Sequence, residues 1–405
     1  MKDKIIAFFH RPIWSNYRFL LFVWAMLGLI TGITRLGNGN NYKVFAGMFW
    51  HALHQLPLYT EYPAEYYDIA HYGPAFSVLV APFALCPFWL GLILWNIAIS
   101  LSLWWAVRTM PLSKRNHIFI FWIVAIELVT ALVMHQFNIV TAALICATFT
   151  LIEKKRDFWA ALCIVVGTFV KLYGIVGLAF FFFSKKKLQF IVGLAFWSVV
   201  MFVLPMLISS PDYIIGQYGA WATDLIEKNQ CNLDSFYQNL SLLGFVRRNF
   251  GYTGSDLWLI VPGIVLFCLP YLRFRQWQHQ GFRYAFLESV LMFVVLFSTG
   301  SESSGYIIAF TGVALWYVTA PWQRGKADLA LLIFAFIFTT LSHTDMTPSY
   351  LQTEFIRPRA VKVFPVILVW FKLIWEMMTC DYTQTQTQTQ TQTQTQTQTS
   401  KNSDS

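Results

Sequence analysis

Residues 154–187 read KKRDFWAALCIVVGTFVKLYGIVGLAFFFFSKKK, and this stretch decides the architecture. Between Phe158 and Phe183 lie 26 residues whose one charge is Lys171. Lys154, Lys155 and Arg156 precede them, and Lys185, Lys186 and Lys187 follow. A run this long and apolar belongs in hydrocarbon, whose thickness of about 30 Å takes roughly 20 helical residues to cross. Lys/Arg clusters favour the cytoplasmic side, so both ends of the run point there. Twenty-six residues are too few for two full crossings. The spacing predicts two half-length helices meeting at Lys171-Leu172-Tyr173-Gly174, a bend tolerated in a membrane only where protein or water surrounds it.

The rest of the chain has the same character. Of 405 residues, 57% are hydrophobic, 18% aromatic and only 12% charged, about half the charge share of a soluble domain. That excludes a soluble enzyme, a disordered regulator and a secreted disulfide scaffold. The reading is an all-α polytopic membrane protein with crossings near 17–36, 88–107, 117–134, 136–152, 188–208, 257–272, 284–300, 305–320, 327–343 and 360–378. Residues 74–87, bounded and interrupted by Pro74, Pro82 and Pro87, read as a short tilted or re-entrant piece leading into the next crossing. Residues 1–380 form one membrane domain, and 381–405, dominated by alternating Thr and Gln, a disordered cytoplasmic tail.

Charge sorts the loops. With the N-terminus inside, the inner set (1–16, 108–116, 153–157, 184–187, 273–283, 321–326) holds 17 basic and 3 acidic residues. The outer set (37–73, 209–256, 301–304, 344–359) holds 6 basic and 11 acidic. This asymmetry places both termini in the cytoplasm and the long polar segments 37–73 and 209–256 outside an inner (plasma) membrane. It also accounts for the net charge of +9 without nucleic acid. Val44, Phe45, Met48, Phe49, Ala52 and Leu53 form an apolar stripe opposite Asn41, Lys43, His51 and His54, as in a helix lying at the membrane interface.

The side chains with chemical potential gather in the outer segments. Glu61, Glu65 and Asp68 stand at i, i+4, i+7 among tyrosines, sharing a face if helical, with Pro63 opposing the helix. Near a low-dielectric boundary a carboxylate can serve as a general base, and aromatic rings suit a sugar face. An ordinary solvated loop has the same composition. Lys171 needs a phosphate or a carboxylate, and Glu127 is a possible intramembrane partner. Arg247 and Arg248 suit a phosphate or a helix end. Gln136 and Asn138 suit sugar hydroxyls or a helix cap. Glu302 lies in a four-residue turn facing outward. No pattern requires a cofactor, and metal dependence is not readable from the residues.

Several short motifs, in order, resemble glycosyltransferase family 87, polyprenol-phosphate-dependent enzymes of the GT-C membrane class. Asn41-Tyr42-Lys43-Val44-Phe45 is similar to the family's segment after the first helix. Tyr72-Gly73-Pro74-Ala75-Phe76 through Ala81-Pro82-Phe83-Ala84-Leu85-Cys86-Pro87 is similar to its Tyr-Pro-Pro and Ala-Pro-x-Ala-x-x-Pro stretch. His135-Gln136-Phe137-Asn138 resembles Gly-Gln-x-Asn, Lys171-Leu172-Tyr173 its Lys-Pro signature, and Gln238-Asn239-Leu240-Ser241-Leu242-Leu243-Gly244 its Asn-Gln-Ser-Leu-x-Gly element. The sequence departs from the family at Asn41, where Asp is common, at Gly73 and at Leu172, where Pro is common.

The resemblance implies a GT-C-like enzyme that moves a hexose or pentose from a polyprenyl phosphate to a glycan or lipid acceptor outside the membrane, with membrane lipids as its surroundings. It carries Asn41, Tyr72, Gln136, Asn138, Lys171, Gln238 and Asn239 over to substrate binding, and the reading of the residues themselves adds Arg247, Arg248 and Glu302 as candidates. Asn41 cannot take a proton, so the base moves to Asp68, Glu61 or Glu65. A transporter or lipid flippase, or an inactive GT-C-like partner, are the alternatives.

Overall fold

The computed structural model describes residues 11–233, 235, 238–344 and 346–383. Lys2, Lys4 and the Thr/Gln tract beyond Thr383 lie outside the described residues. Asp381 and Tyr382, at the start of the expected tail, are part of the packed structure. Tyr382 is buried against Phe282 and Trp322, and Gln276 bonds both residues.

In chain order the helices that matter here are α1 (Tyr17–Thr34), α2 (Asn40–Leu53), α3 (Phe76–Ala84), α4 (Phe88–Thr109), α5 (Lys114–Ile123), α6 (Ala125–Val133), α7 (Asn138–Glu153) and α8 (Asp157–Lys171). They continue with α9 (Lys187–Val203), α10 (Pro211–Asn232), α11 (Leu242–Phe250), α12 (Leu257–Cys268), α13 (Gln280–Leu296), α14 (Tyr306–Thr319), α15 (Lys326–Ala335) and α16 (Val363–Thr379). No strand occurs among the described residues.

Among the described residues, four helices are long and apolar enough to cross a membrane: Tyr17–Thr34, Phe88–Thr109, Lys187–Leu207 and Lys326–His343. α5 and α6 make a fifth when taken as one span bent by 44°. This is fewer than the ten expected, in part because α13 and α14, two of the expected crossings, have only 17 and 14 residues. Both are also enclosed by protein. Almost every residue from Phe282 to Leu296, and each from Tyr306 to Trp316, is buried by other helices. Such all-round apolar helices form the core of a large bundle. The four long apolar helices instead leave apolar side chains uncovered, among them Phe22, Ile30 and Ile33 on α1 and Ile191, Phe196 and Val199 on α9. α1 packs closely on α4 through Gly28 and Gly32, where an added Cβ would approach the α4 backbone to 2.8–2.9 Å. Small residues four apart let helix backbones meet in this way.

The expected break in 158–183 is present. α8 ends at Lys171, Leu172 turns left-handed at φ 48°, and Tyr173–Phe183 returns as a 3-10 helix. The two arms cross at Gly167 and Gly174, and a Cβ on Gly174 would lie 2.4 Å from the Gly167 carbonyl carbon. At the far ends the Ser184 hydroxyl donates to the Asp157 carboxylate. The segment is therefore a closed hairpin whose tip is Lys171.

The two long polar segments face each other over that tip. α2 buries Val44, Phe45, Met48, Phe49 and Ala52 as its pattern predicts. His51, assigned above to the polar face, is instead buried. Its ring stacks on Tyr62 at 3.8 Å and its Nε2 lies 3.1 Å from Glu65. Residues 61–68 form turns and no helix, so Glu61, Glu65 and Asp68 share no helical face. Pro63 and the positive φ of Asp68, 100°, are incompatible with one. The loop after α2 is laced to α10, with the Leu58 N–H donating to Gln217 Oε1 (2.9 Å) and Trp221 Nε1 donating to the His71 carbonyl (3.2 Å).

Candidate active site

A cavity of about 300 Å3 opens where α2, the loop before α3, the hairpin tip, α10 and the 298–302 connection converge. Seven residues expected at a site line it: Asn41, Asp68, Tyr72, Gln136, Lys171, Gln238 and Glu302. They come from six separate parts of the chain, so their meeting is a property of the fold.

Each is held by local structure. Gly73 brings the loop onto the hairpin: its N–H donates to the Val170 carbonyl at 3.0 Å, and a Cβ there would lie 2.0 Å from the Phe169 oxygen. Proline at this position would have no N–H to give. Tyr72, thus placed, is buried and donates its hydroxyl to Gln136 Oε1 at 3.0 Å. Burial first and the Glu302 carboxylate second hold its phenol well above the usual range, so it remains a donor. Asn41 donates its amide to the Met134 carbonyl at 2.8 Å, which ties α2 to the turn carrying Gln136.

Lys171 donates to Asn138 Oδ1 at 2.8 Å, and the Asn138 amide donates to Ser304 Oγ at 3.2 Å. Its ammonium also lies over the Tyr72 and Tyr173 rings, 5.8 and 5.3 Å from their centroids, a favourable setting for a cation. Glu127, the proposed partner of Lys171, belongs to another cation. Both its oxygens accept from Lys362 Nζ, at 2.8 and 2.9 Å, and neither side chain is exposed. Among the described residues no carboxylate lies within 4 Å of Lys171. Glu302, across the same cavity, and Lys228 are the charges that act on it.

The three first-segment carboxylates separate. Asp68 lines the cavity, and its Oδ1 accepts from the Ile69 N–H at 2.9 Å. Its φ of 100° is a backbone region costly for a residue with a Cβ, by about 1–3 kcal/mol, and such outliers concentrate at functional sites. Glu65 faces away toward His51, whose imidazole burial pushes below its ordinary range against the pull of that carboxylate. Glu61 is exposed and lines no cavity described here.

Three further expected residues do not line the cavity. Asn239 is buried, its backbone N–H donating to Thr299 and its side chain accepting from Ser241 (2.7 Å). Arg247 pairs with Asp256 at 2.8 Å. Arg248 donates to the Ser235 and Gln238 carbonyls at 2.7 and 2.6 Å, which makes it a brace for the Gln238 backbone. Arg247 also donates to the Gly254 carbonyl at 3.2 Å, and Arg248 to the Arg357 carbonyl at 3.4 Å.

The sequence reading missed Lys228, Asn229 and Asn232 of α10, Ser298 and Thr299, and His71. A signal for the first group was available: Asp224, Lys228 and Asn232 recur every four residues, which aligns them on one helical face. His71 had no such signal, because its partner is Asp224, 153 positions away.

The cavity can thus present two carboxylates, Asp68 and Glu302, two cations, Lys171 and Lys228, and a set of amides and hydroxyls. That set can bind a phosphorylated sugar and take a proton from a hydroxyl. None of the curated proteins compared with the chain matches it. The family model named Glycosyltransferase family 87 matches residues 70–299, 230 of 405 positions. The match includes His71, Tyr72, Gln136, Lys171, the α10 face and Gln238, and stops short of Asn41, Asp68 and Glu302. With more than half its length matched, and with the cavity built largely from the matched part, the chain belongs to glycosyltransferase family 87.

Proposed function

We propose that this glycosyltransferase takes a hexose or pentose from a polyprenyl phosphate and passes it to a hydroxyl of a glycan or lipid on the outer side of the plasma membrane. The observation that carries the reading is that Lys171 and Asp68 line one cavity while Glu127, the carboxylate best placed to neutralise Lys171 in the sequence, is consumed by Lys362. A lipid donor keeps its isoprenoid tail among the uncovered apolar helices and brings only its phosphosugar to the polar residues. Asp68 accepts the proton of the acceptor hydroxyl as its oxygen bonds to the anomeric carbon. The bond from that carbon to the phosphate oxygen breaks, and its electron pair leaves with the phosphate, whose charge Lys171 meets. Displacement of this kind inverts the anomeric centre. Asn41, Gln136 and Gln238 supply amides for the sugar hydroxyls.

Topology follows the charge sorting, with the two polar segments outside and the basic loops inside. Purified protein incubated with radiolabelled polyprenyl-phosphate sugars and an n-octyl glycoside acceptor tests the reading. Transfer of label to the acceptor with release of polyprenyl phosphate is expected, and its absence from every donor overturns it.

A further inference from the structure

His71 lies between two carboxylates contributed by different polar segments. Its Nδ1 is 3.0 and 2.9 Å from the two oxygens of Asp224 on α10, and its Nε2 is 4.0 Å from Asp68 Oδ1. The Nε2 atom is buried and has no hydrogen-bond partner. The imidazole is 24% exposed and Asp224 11%, against 55% for Asp68. Trp221, three residues before Asp224 on the same helix, holds the His71 backbone carbonyl. Both ring position and ring orientation are therefore set from α10, while the one unpaired nitrogen is aimed at the cavity carboxylate.

Donor and acceptor logic gives the pair its direction. An ionised carboxylate only accepts, so Nδ1 carries a hydrogen toward Asp224, and an attractive contact with Asp68 requires a hydrogen on Nε2 as well. Asp68 Oδ1 already accepts from Ile69. A second donor on that same oxygen leaves Oδ2 as the oxygen free to meet an acceptor hydroxyl. At 4.0 Å the two atoms are not hydrogen-bonded, and the contact proposed here requires the half-exposed Asp68 side chain to turn toward the ring.

We propose that His71, oriented by Asp224, is a positioning residue that pins one oxygen of Asp68 so that the other takes the acceptor proton. This rests on the glycosyl-transfer reading above. It also gives the second polar segment a task beyond lining the cavity, because α10 sets the aim of the base in the first. No bond to His71 forms or breaks in the reaction. The proton passes from the acceptor oxygen to Asp68 alone.

The test is a double-mutant cycle on the purified full chain with a radiolabelled polyprenyl-phosphate sugar that the wild type uses and an n-octyl glycoside acceptor. His71→Ala is expected to lower kcat ten- to a hundredfold with the donor KM unchanged. The same substitution in an Asp68→Asn background should cost less than twofold more, since a residue acting through Asp68 has nothing left to position. His71→Gln, which keeps an amide N–H for Asp68, should restore most of the rate, and His71→Leu, which fills the space without a donor, should not. Losses that multiply in the double variant, equal rates for the Gln and Leu variants, or wild-type kcat in His71→Ala would each overturn the proposal. A wild-type protein inactive on every donor would instead bring down the glycosyl-transfer reading beneath it.

Discussion

Glu127 and Lys362, 235 positions apart, form a two-pronged ion pair with neither side chain exposed, and Ser303 Oγ completes the lysine's shell at 3.2 Å. Taking both charges out of water is expensive, and the pair is tolerable because each satisfies the other. It also anchors the turn containing Ser303 and Ser304, next to Glu302 and Asn138, and so fixes one wall of the cavity.

Removing one partner should be far worse than removing both. Lys362→Met leaves a buried carboxylate alone and should cost about 3–5 kcal/mol, seen as lost monodisperse protein in detergent. Lys362→Met combined with Glu127→Leu should recover much of that yield. Equal yields for the single and double variants would show that the pair is not acting as a unit.

The closed hairpin makes a topological prediction. Because Ser184 bonds Asp157, single cysteines at positions 155 and 186, in a background lacking the six native cysteines, should both be modified by a reagent confined to the cytoplasmic side. Labelling from opposite sides would contradict the hairpin. Gly174→Val should abolish the folded protein, since the backbone of Gly167 and Thr168 lies 2.4 Å from where its Cβ would stand.

His51 predicts a pH effect with a definite sign. Burial lowers its folded-state pKa below the unfolded value of 6.5, so the unfolded chain binds the proton first as pH falls. Stability should therefore decline as pH drops below about 6.5. The thermal midpoint in detergent should fall between pH 7 and 5, and His51→Gln should flatten that fall. An unchanged slope would remove His51 as its source.

Glu61→Gln and Glu65→Gln should keep turnover within about threefold of wild type, since neither residue lines the cavity. Turnover is read with a labelled lipid donor. A collapse in either variant would move the base away from Asp68.

The parts of this structure that could be read from the residues are those with a local signal. Lys171 in the middle of an apolar run, with basic clusters at both ends, announced the hairpin and its break. The aromatic and acidic loop before Pro74 announced the segment that carries Asp68 and Tyr72. What stayed hidden depends on distant partners. Hydropathy marked α13 and α14 as apolar but gave no sign that other helices enclose them on every side. Asp224 shows no sign of its partner in its own neighbourhood, and Lys362 none of Glu127. Asn41 reads as a lost acid in the sequence, whereas in the structure its amide ties α2 to the Met134 turn.

The central claim is that Asp68 takes the proton from the oxygen that forms the new bond while Lys171 meets the phosphate released from the breaking one, and steady-state kinetics of Asp68→Asn and Lys171→Met beside the wild type test it most directly. With a radiolabelled polyprenyl-phosphate sugar, Asp68→Asn should lower kcat by about a hundredfold or more with the donor KM kept, the usual scale for a lost general base. Lys171→Met should mainly raise the donor KM, because the phosphate needs that charge before and during the reaction. Near-wild-type kcat in Asp68→Asn together with an unchanged donor KM in Lys171→Met would contradict the account.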